Sequence, residues 1–199
     1  PRVRGRPSSE PGRPEALRAI ADQVIEGGYR ILLTRDLEAA KVYLRDRYSD
    51  APEARYGLLA SSKDRELAEL GIPNDWDGTK LMNRAPGPWF CEGGEHPLSC
   101  RRLAEVATEF QAQGLELDAP LLAWGTDLVR AGGAWSNANA RGYKRGAKVR
   151  DPFQFRVHAY RVLLTRARDV CVLYVPPLGA LDETHAYLRA CGARDLVAV

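Results

Sequence analysis

The chain has 199 residues, 45% apolar and 28% charged, the profile of a soluble globular protein with room for one substantial core or two small ones. Its net charge of +3 and pI near 8.8 permit an anionic partner without requiring one. No apolar run approaches the ~18 residues of a membrane span, the N-terminus is not a signal peptide, and four scattered cysteines do not make a disulfide scaffold, so a cytoplasmic protein with no membrane partner is expected.

Residues 1–14 hold four prolines and four arginines and almost nothing apolar, as in a disordered leader or linker. The rest, 15–199, reads as one domain. From Glu15 to Gly27, Leu17, Ile20, Ala21 and Val24 follow helical spacing, and Gly27-Gly28 stops the helix. "YRILLTR" (29–35) is predicted as a buried strand, with Asp36 as N-cap of the helix "LEAAKVYLRDRY". "ARYGLLASS" (54–62) is a second strand, and "KDRELAELGI" a short helix stopped by Gly71 and Pro73. Residues 73–101, rich in Pro, Gly, Asn and Trp, form an irregular insertion.

Regular structure resumes at "LAEVAT" (103–108), followed by "EFQAQGLELD" (109–118) and the apolar strand "APLLAW" (119–124). A second irregular insertion, 126–151, carries Arg130, Arg141, Lys144, Arg145, Lys148 and Arg150 with Trp135 and Tyr143 between them. That mixture suits single-stranded nucleic acid, through phosphate neutralisation and base stacking, and equally a solvated loop that packs its aromatics on the core. A helix over 152–168, the strand "VCVLYVP" (170–176) and a helix over 181–192 complete the chain.

Continuous apolar strands alternating with helices imply a parallel sheet, of about five strands, covered on both faces. Ligands of such sheets lie beyond the carboxyl ends of the strands. Thr34-Arg35, Ser61-Ser62 and the turn Gln113 to Glu116 are expected there. Cys91, His96 and Cys100 fall within ten residues, which raises a zinc site, but no fourth ligand is evident and reduced thiols are the reading adopted.

Three segments stand in order: "ILLTRDLEAAKVYL" (31–44), "ATEFQAQGLELD" (107–118) and "YRVLLTRAR" (160–168). They resemble motifs IV, V and VI in the second RecA-like domain of superfamily 1 helicases of the UvrD/Rep type. The wording is closer still to a bacterial, Schlafen-related family of helicase-like proteins. Motif V of the UvrD/Rep branch reads Thr-x-His-x-x-Lys-Gly-Leu-Glu-Phe; Thr108 to Leu117 resembles it, with Phe110 and Gln113 replacing His and Lys.

The resemblance implies a RecA-like, three-layer α/β domain of the P-loop NTPase type. It implies that Arg166 reaches the γ-phosphate of ATP across a cleft between two such domains, with Arg35 as a second phosphate-facing arginine. Glu116 would lie near the ribose, with Gly114, Gln113 and Arg168 beside the nucleotide. Thr108 would contact a nucleic-acid phosphate; separately, the basic and aromatic composition of 126–151 makes Lys144 and Arg145 candidates to extend that track, with a solvated loop the alternative. Arg35 and Arg168 also read as ordinary surface arginines, and Glu116 as a turn residue.

The chain contains no G-x-x-x-x-G-K-[ST] segment and no strand ending in the Asp-Glu of a Walker B motif. ATP and Mg²⁺ would therefore be bound mainly by a separate N-terminal RecA-like domain, the expected partner together with single-stranded DNA or RNA. Two functions remain open. One is the C-terminal motor domain of an ATP-dependent helicase or translocase, inactive alone. The other is a stand-alone nucleic-acid-binding or regulatory module without ATPase activity.

Overall fold

The computed structural model describes residues 14–74, 86–143 and 149–197. Residues 1–13 of the leader and Lys144, Arg145 and Lys148 lie outside the described residues. In chain order the elements are α1 (Pro14–Glu26), β1 (Arg30–Thr34), α2 (Leu37–Arg47), β2 (Tyr56–Ala60), α3 (Pro86–Cys91), β3 (Val106–Thr108), β4 (Ala119–Ala123), β5 (Val129–Ala131), β6 (Ala134–Ser136), α4 (Pro152–Leu164), β7 (Val170–Tyr174), α5 (Asp182–Ala190) and β8 (Arg194–Asp195).

Six strands form one sheet in the order β3-β2-β4-β7-β1-β8, every pair parallel. The registers Arg30↔Val170, Leu121↔Val172 and Tyr56↔Ala119 align the strand starts, so the sheet has a clear amino edge and carboxyl edge. β2, β4 and β7 are buried at every residue because both faces are covered. Alternate side chains divide between two cores. Leu59, Leu122 and Leu173 pack with Tyr160 and Leu163 of α4. Leu58, Leu121 and Val172 pack with Ala40 and Leu44 of α2. The result is a three-layer α/β fold consistent with the RecA type.

Local chemistry sets the helix starts. The Asp36 side chain accepts from Ala39 N at 2.9 Å, and the Asp151 side chain from Gln154 N at 2.9 Å, ahead of Pro152. The predicted helices shorten: α4 ends at Leu164 rather than 168, and 67–70 is a single 3-10 turn.

Each insertion holds structure of its own. α3 drives the buried Trp89 against Gly57, where a Cβ would lie 2.6 Å from the indole, so only glycine fits beneath it. Residues 129–136 form an antiparallel hairpin turned by Gly132-Gly133. Among the described residues no helix is long and apolar enough to cross a membrane.

Candidate functional site

At the amino edge, the segments 107–118 and 160–168 are joined directly. Leu117 N donates to Arg166 O at 2.8 Å and Arg168 N to Leu117 O at 2.9 Å, a parallel bridge between Leu117 and Ala167 just ahead of β4 and β7. Gly114 takes φ +78°, which lets the turn fold back toward α4. The Arg166 guanidinium lies along this turn. Its Nη1 donates to the carbonyls of Leu115 at 3.1 Å and Ala112 at 3.4 Å, Nε to Val162 O at 2.9 Å, and Nη2 to Thr165 Oγ1 at 3.1 Å.

Beside it, Arg168 and Glu116 are largely exposed and only 3.9 Å apart, and Gln113 is exposed in the same turn. The edge thus gathers Arg166, Arg168, Glu116, Gly114 and Gln113. Two guanidinium groups and a carboxylate suit the outer side of a nucleotide polyphosphate, without the backbone cradle that would hold its inner phosphates.

These positions correct three expectations. Gln113 to Glu116 do not lie beyond the carboxyl ends. Residues 109–116 cross from the carboxyl edge, where Thr108 pairs with Ala60, to the amino edge at Leu117. Arg35 is not brought to Arg166, because it follows the end of β1 while Arg166 precedes the start of β7. The two are separated by at least a strand length, about 17 Å. Arg35 instead clamps the chain after β7, pairing with Asp182 at 2.6 Å and donating to Pro176 O at 2.9 Å.

Thr108, too, is buried, its hydroxyl bonded to Gln111 Oε1, so it presents nothing at the surface. The neighbouring Phe110 is 54% exposed instead.

The carboxyl edge is built on a buried charge cluster. Arg156, fully buried on α4, donates through Nη2 to Glu109 Oε1 at 2.5 Å, and its Nε lies 3.3 Å from Asp127 Oδ2. Glu109 also accepts from Ser62 N and Ser62 Oγ, both at 2.9 Å. Asp127 accepts from Tyr160 Oη at 2.7 Å and from Ser61 Oγ. Burial pushes the Asp127 carboxyl up to about 6, against the pull of Arg156, Ser61 and Tyr160. Burial opposes the charge on Arg156, yet Glu109 and Asp127 hold it above its usual value.

Phe110, next to Glu109 in the chain, is exposed, and Phe155, next to Arg156, meets Tyr143 edge to face at 5.5 Å, with Lys63 Nζ 4.8 Å from the Tyr143 ring. Arg65 and Arg141 flank them. The sequence reading missed Arg156, Glu109, Asp127 and Phe110. One signal existed: Arg156 and Tyr160, four apart, share the helix face that Ala159 and Leu163 bury.

Among the described residues no three His, Cys, Asp or Glu side chains converge on a metal site. Cys100 is buried while Cys91 is exposed, and His96 Nδ1 accepts from Leu98 N.

A family model described as Schlafen group 3, DNA/RNA helicase domain, matches residues 13–177. That span runs from α1 through β7 and includes all three motif segments. No curated protein and no solved structure gives a match.

Proposed function

The chain belongs to the Schlafen group 3 DNA/RNA helicase domain family, and on that premise we propose that it is the second RecA-like domain of an ATP-driven helicase or translocase. In this reading its amino edge faces nucleotide held by a first domain, and its carboxyl edge carries single-stranded nucleic acid. The observation that carries the reading is the bridge between Leu117 and Ala167, which sets Arg166, Arg168 and Glu116 on one exposed edge.

Arg166 contributes positive charge toward a departing phosphoryl group, an effect worth ~10³–10⁵ in rate for arginine fingers. Its present partners are backbone carbonyls and a hydroxyl, not a carboxylate. Engagement with phosphate therefore exchanges neutral acceptors for an anionic one, which favours the move. Glu116 is the acid that would meet a ribose hydroxyl. ATP and Mg²⁺ supply the phosphoryl group and its counter-charge when bound, and the residues of this chain fit only the outer side of that group. At the carboxyl edge, Phe110, Phe155 and Tyr143 offer ring faces and Lys63, Arg65 and Arg141 offer charge, the mixture that binds single strands with little sequence preference.

The test uses the native protein together with the domain that supplies the phosphate cradle. Arg166→Ala should lower ATP turnover by at least ~10² while nucleotide affinity stays within about tenfold. Arg166→Lys should not restore turnover, because a compact ammonium lacks the planar fork. Normal turnover by a folded Ala variant would return Arg166 to the role of a capping arginine.

A further inference from the structure

α4 is fastened to the 108–117 segment at both of its ends. At its start, Arg156 meets Glu109 at 2.5 Å. Beyond its end, Arg166 meets the carbonyls of Ala112 and Leu115, and Ala167 bridges Leu117. Helix and segment run the same way, from the carboxyl edge to the amino edge. The helical stretch from Arg156 to Leu164 spans about 12 Å at helical rise.

A buried ion pair is a poor device for stability alone, since well-packed apolar residues in its place are often neutral or stabilising. What the pair adds is direction. A charge-assisted bond from Nη2 to Glu109, with Nε 3.3 Å from Asp127, ties α4 to two carboxylates at once, where leucine against leucine would tolerate a slide.

Glu109 is itself tied to the carboxyl-edge loop after β2 by two bonds from Ser62, and its chain neighbour Phe110 is exposed. Tyr160, one turn after Arg156, repeats the attachment by donating to Asp127 and accepting from Gly125 N at 2.9 Å.

We propose that Arg156 is a positioning residue: it sets the register of α4 against the 108–117 segment, so that displacement at the carboxyl edge is carried to Arg166 at the amino edge. The roles of the two edges rest on the function proposed above; the mechanical linkage itself does not.

The test pairs Arg156→Met with Glu109→Gln, so that Glu109 is not left as an orphaned charge, while Asp127 keeps its bonds from Ser61 and Tyr160. The first readout is hydrogen exchange of this chain without ligand. Peptides covering 112–117 and 163–168, which contain no substituted residue, should exchange at least ~10-fold faster, while β4 and β7 keep their protection. Changes confined to the neighbourhoods of 109 and 156, with 163–168 at wild-type rates, overturn the proposal. Should β4 and β7 also lose protection, Arg156→Lys carries the same test. It keeps the charge and loses the fork, and the same peptides should loosen or the proposal fails.

The second readout uses the native protein with its phosphate-binding domain. There the paired variant should lower nucleic-acid-stimulated kcat ~10-fold, leaving basal turnover and the KM for ATP within about twofold. Faster exchange at 163–168 without any kinetic effect would keep the linkage and count against the motor reading. Wild-type exchange would remove the linkage whatever the kinetics.

Discussion

Two arginine–glutamate pairs stand at opposite edges of one sheet. Arg156 and Glu109 are sealed at the carboxyl edge, 2.5 Å apart with side chains 0% and 4% exposed. Arg168 and Glu116 stand at the amino edge, 3.9 Å apart and 64% and 72% exposed. The residue types are the same and the physics differs. In the interior, neither charge can be left unpaired, so the pair behaves as a fixed joint. At the surface, water and salt screen the attraction, so the partners are free to exchange each other for a ligand. Under the function proposed above, the exposed pair is the one able to give up its partner to a ligand, and the buried pair the one that keeps the two edges in register.

The comparison is broken most readily by removing the matching acid from each pair. Glu109→Ala leaves Arg156 without its closest carboxylate and should cost ~3–5 kcal/mol in denaturant unfolding. Glu116→Ala should fall within about 0.5 kcal/mol of wild type. Equal losses at the two sites would erase the distinction.

The buried cluster also predicts an unusual pH response. Burial raises the folded-state value of Asp127 above its ordinary 3.8 to about 6, so the folded chain holds that proton more tightly than the unfolded one. Its contribution to stability is therefore greatest below pH 3.8 and is lost as pH rises through about 6. Asp127→Asn should flatten this part of the profile in unfolding titrations. An unchanged slope would show that Asp127 titrates normally.

A smaller effect is expected at Phe110. Exposed as it is, Phe110→Ala should leave stability within about 0.5 kcal/mol and weaken single-strand binding by ~1–3 kcal/mol, the worth of one stacked base. Unchanged affinity in a fluorescence titration would remove Phe110 from the interface.

The central strands were legible because burial on both faces writes them as continuous apolar runs, as in "GLLA" and "VCVLY". β8 was not, because Arg194 and Asp195 are both exposed and pair with β1 over only two positions. The hairpin was hidden by its brevity, although the Gly132-Gly133 turn was there to be read.

Of the candidate site, the order and wording of the motifs pointed to Arg166 and Glu116. Their edge of the sheet was out of reach, because 109–116 crosses the layer without a regular element whose direction could be inferred. Arg156 was invisible for a different reason. A single arginine in an amphipathic helix reads as solvated until the carboxylates that surround it, 47 and 29 positions away, are brought together by the fold.

The division of labour between the edges is tested most directly by the salt dependence of single-stranded oligonucleotide binding to this chain. Replacing Arg65 and Arg141 at the carboxyl edge by serine should reduce the slope of log K against log salt by up to ~1.4, at ~0.7 per phosphate contact. Replacing Arg166 and Arg168 at the amino edge by serine should leave the slope unchanged. A slope reduced by the amino-edge pair and untouched by the carboxyl-edge pair would contradict the account, because the nucleic acid would then run along the edge assigned to nucleotide.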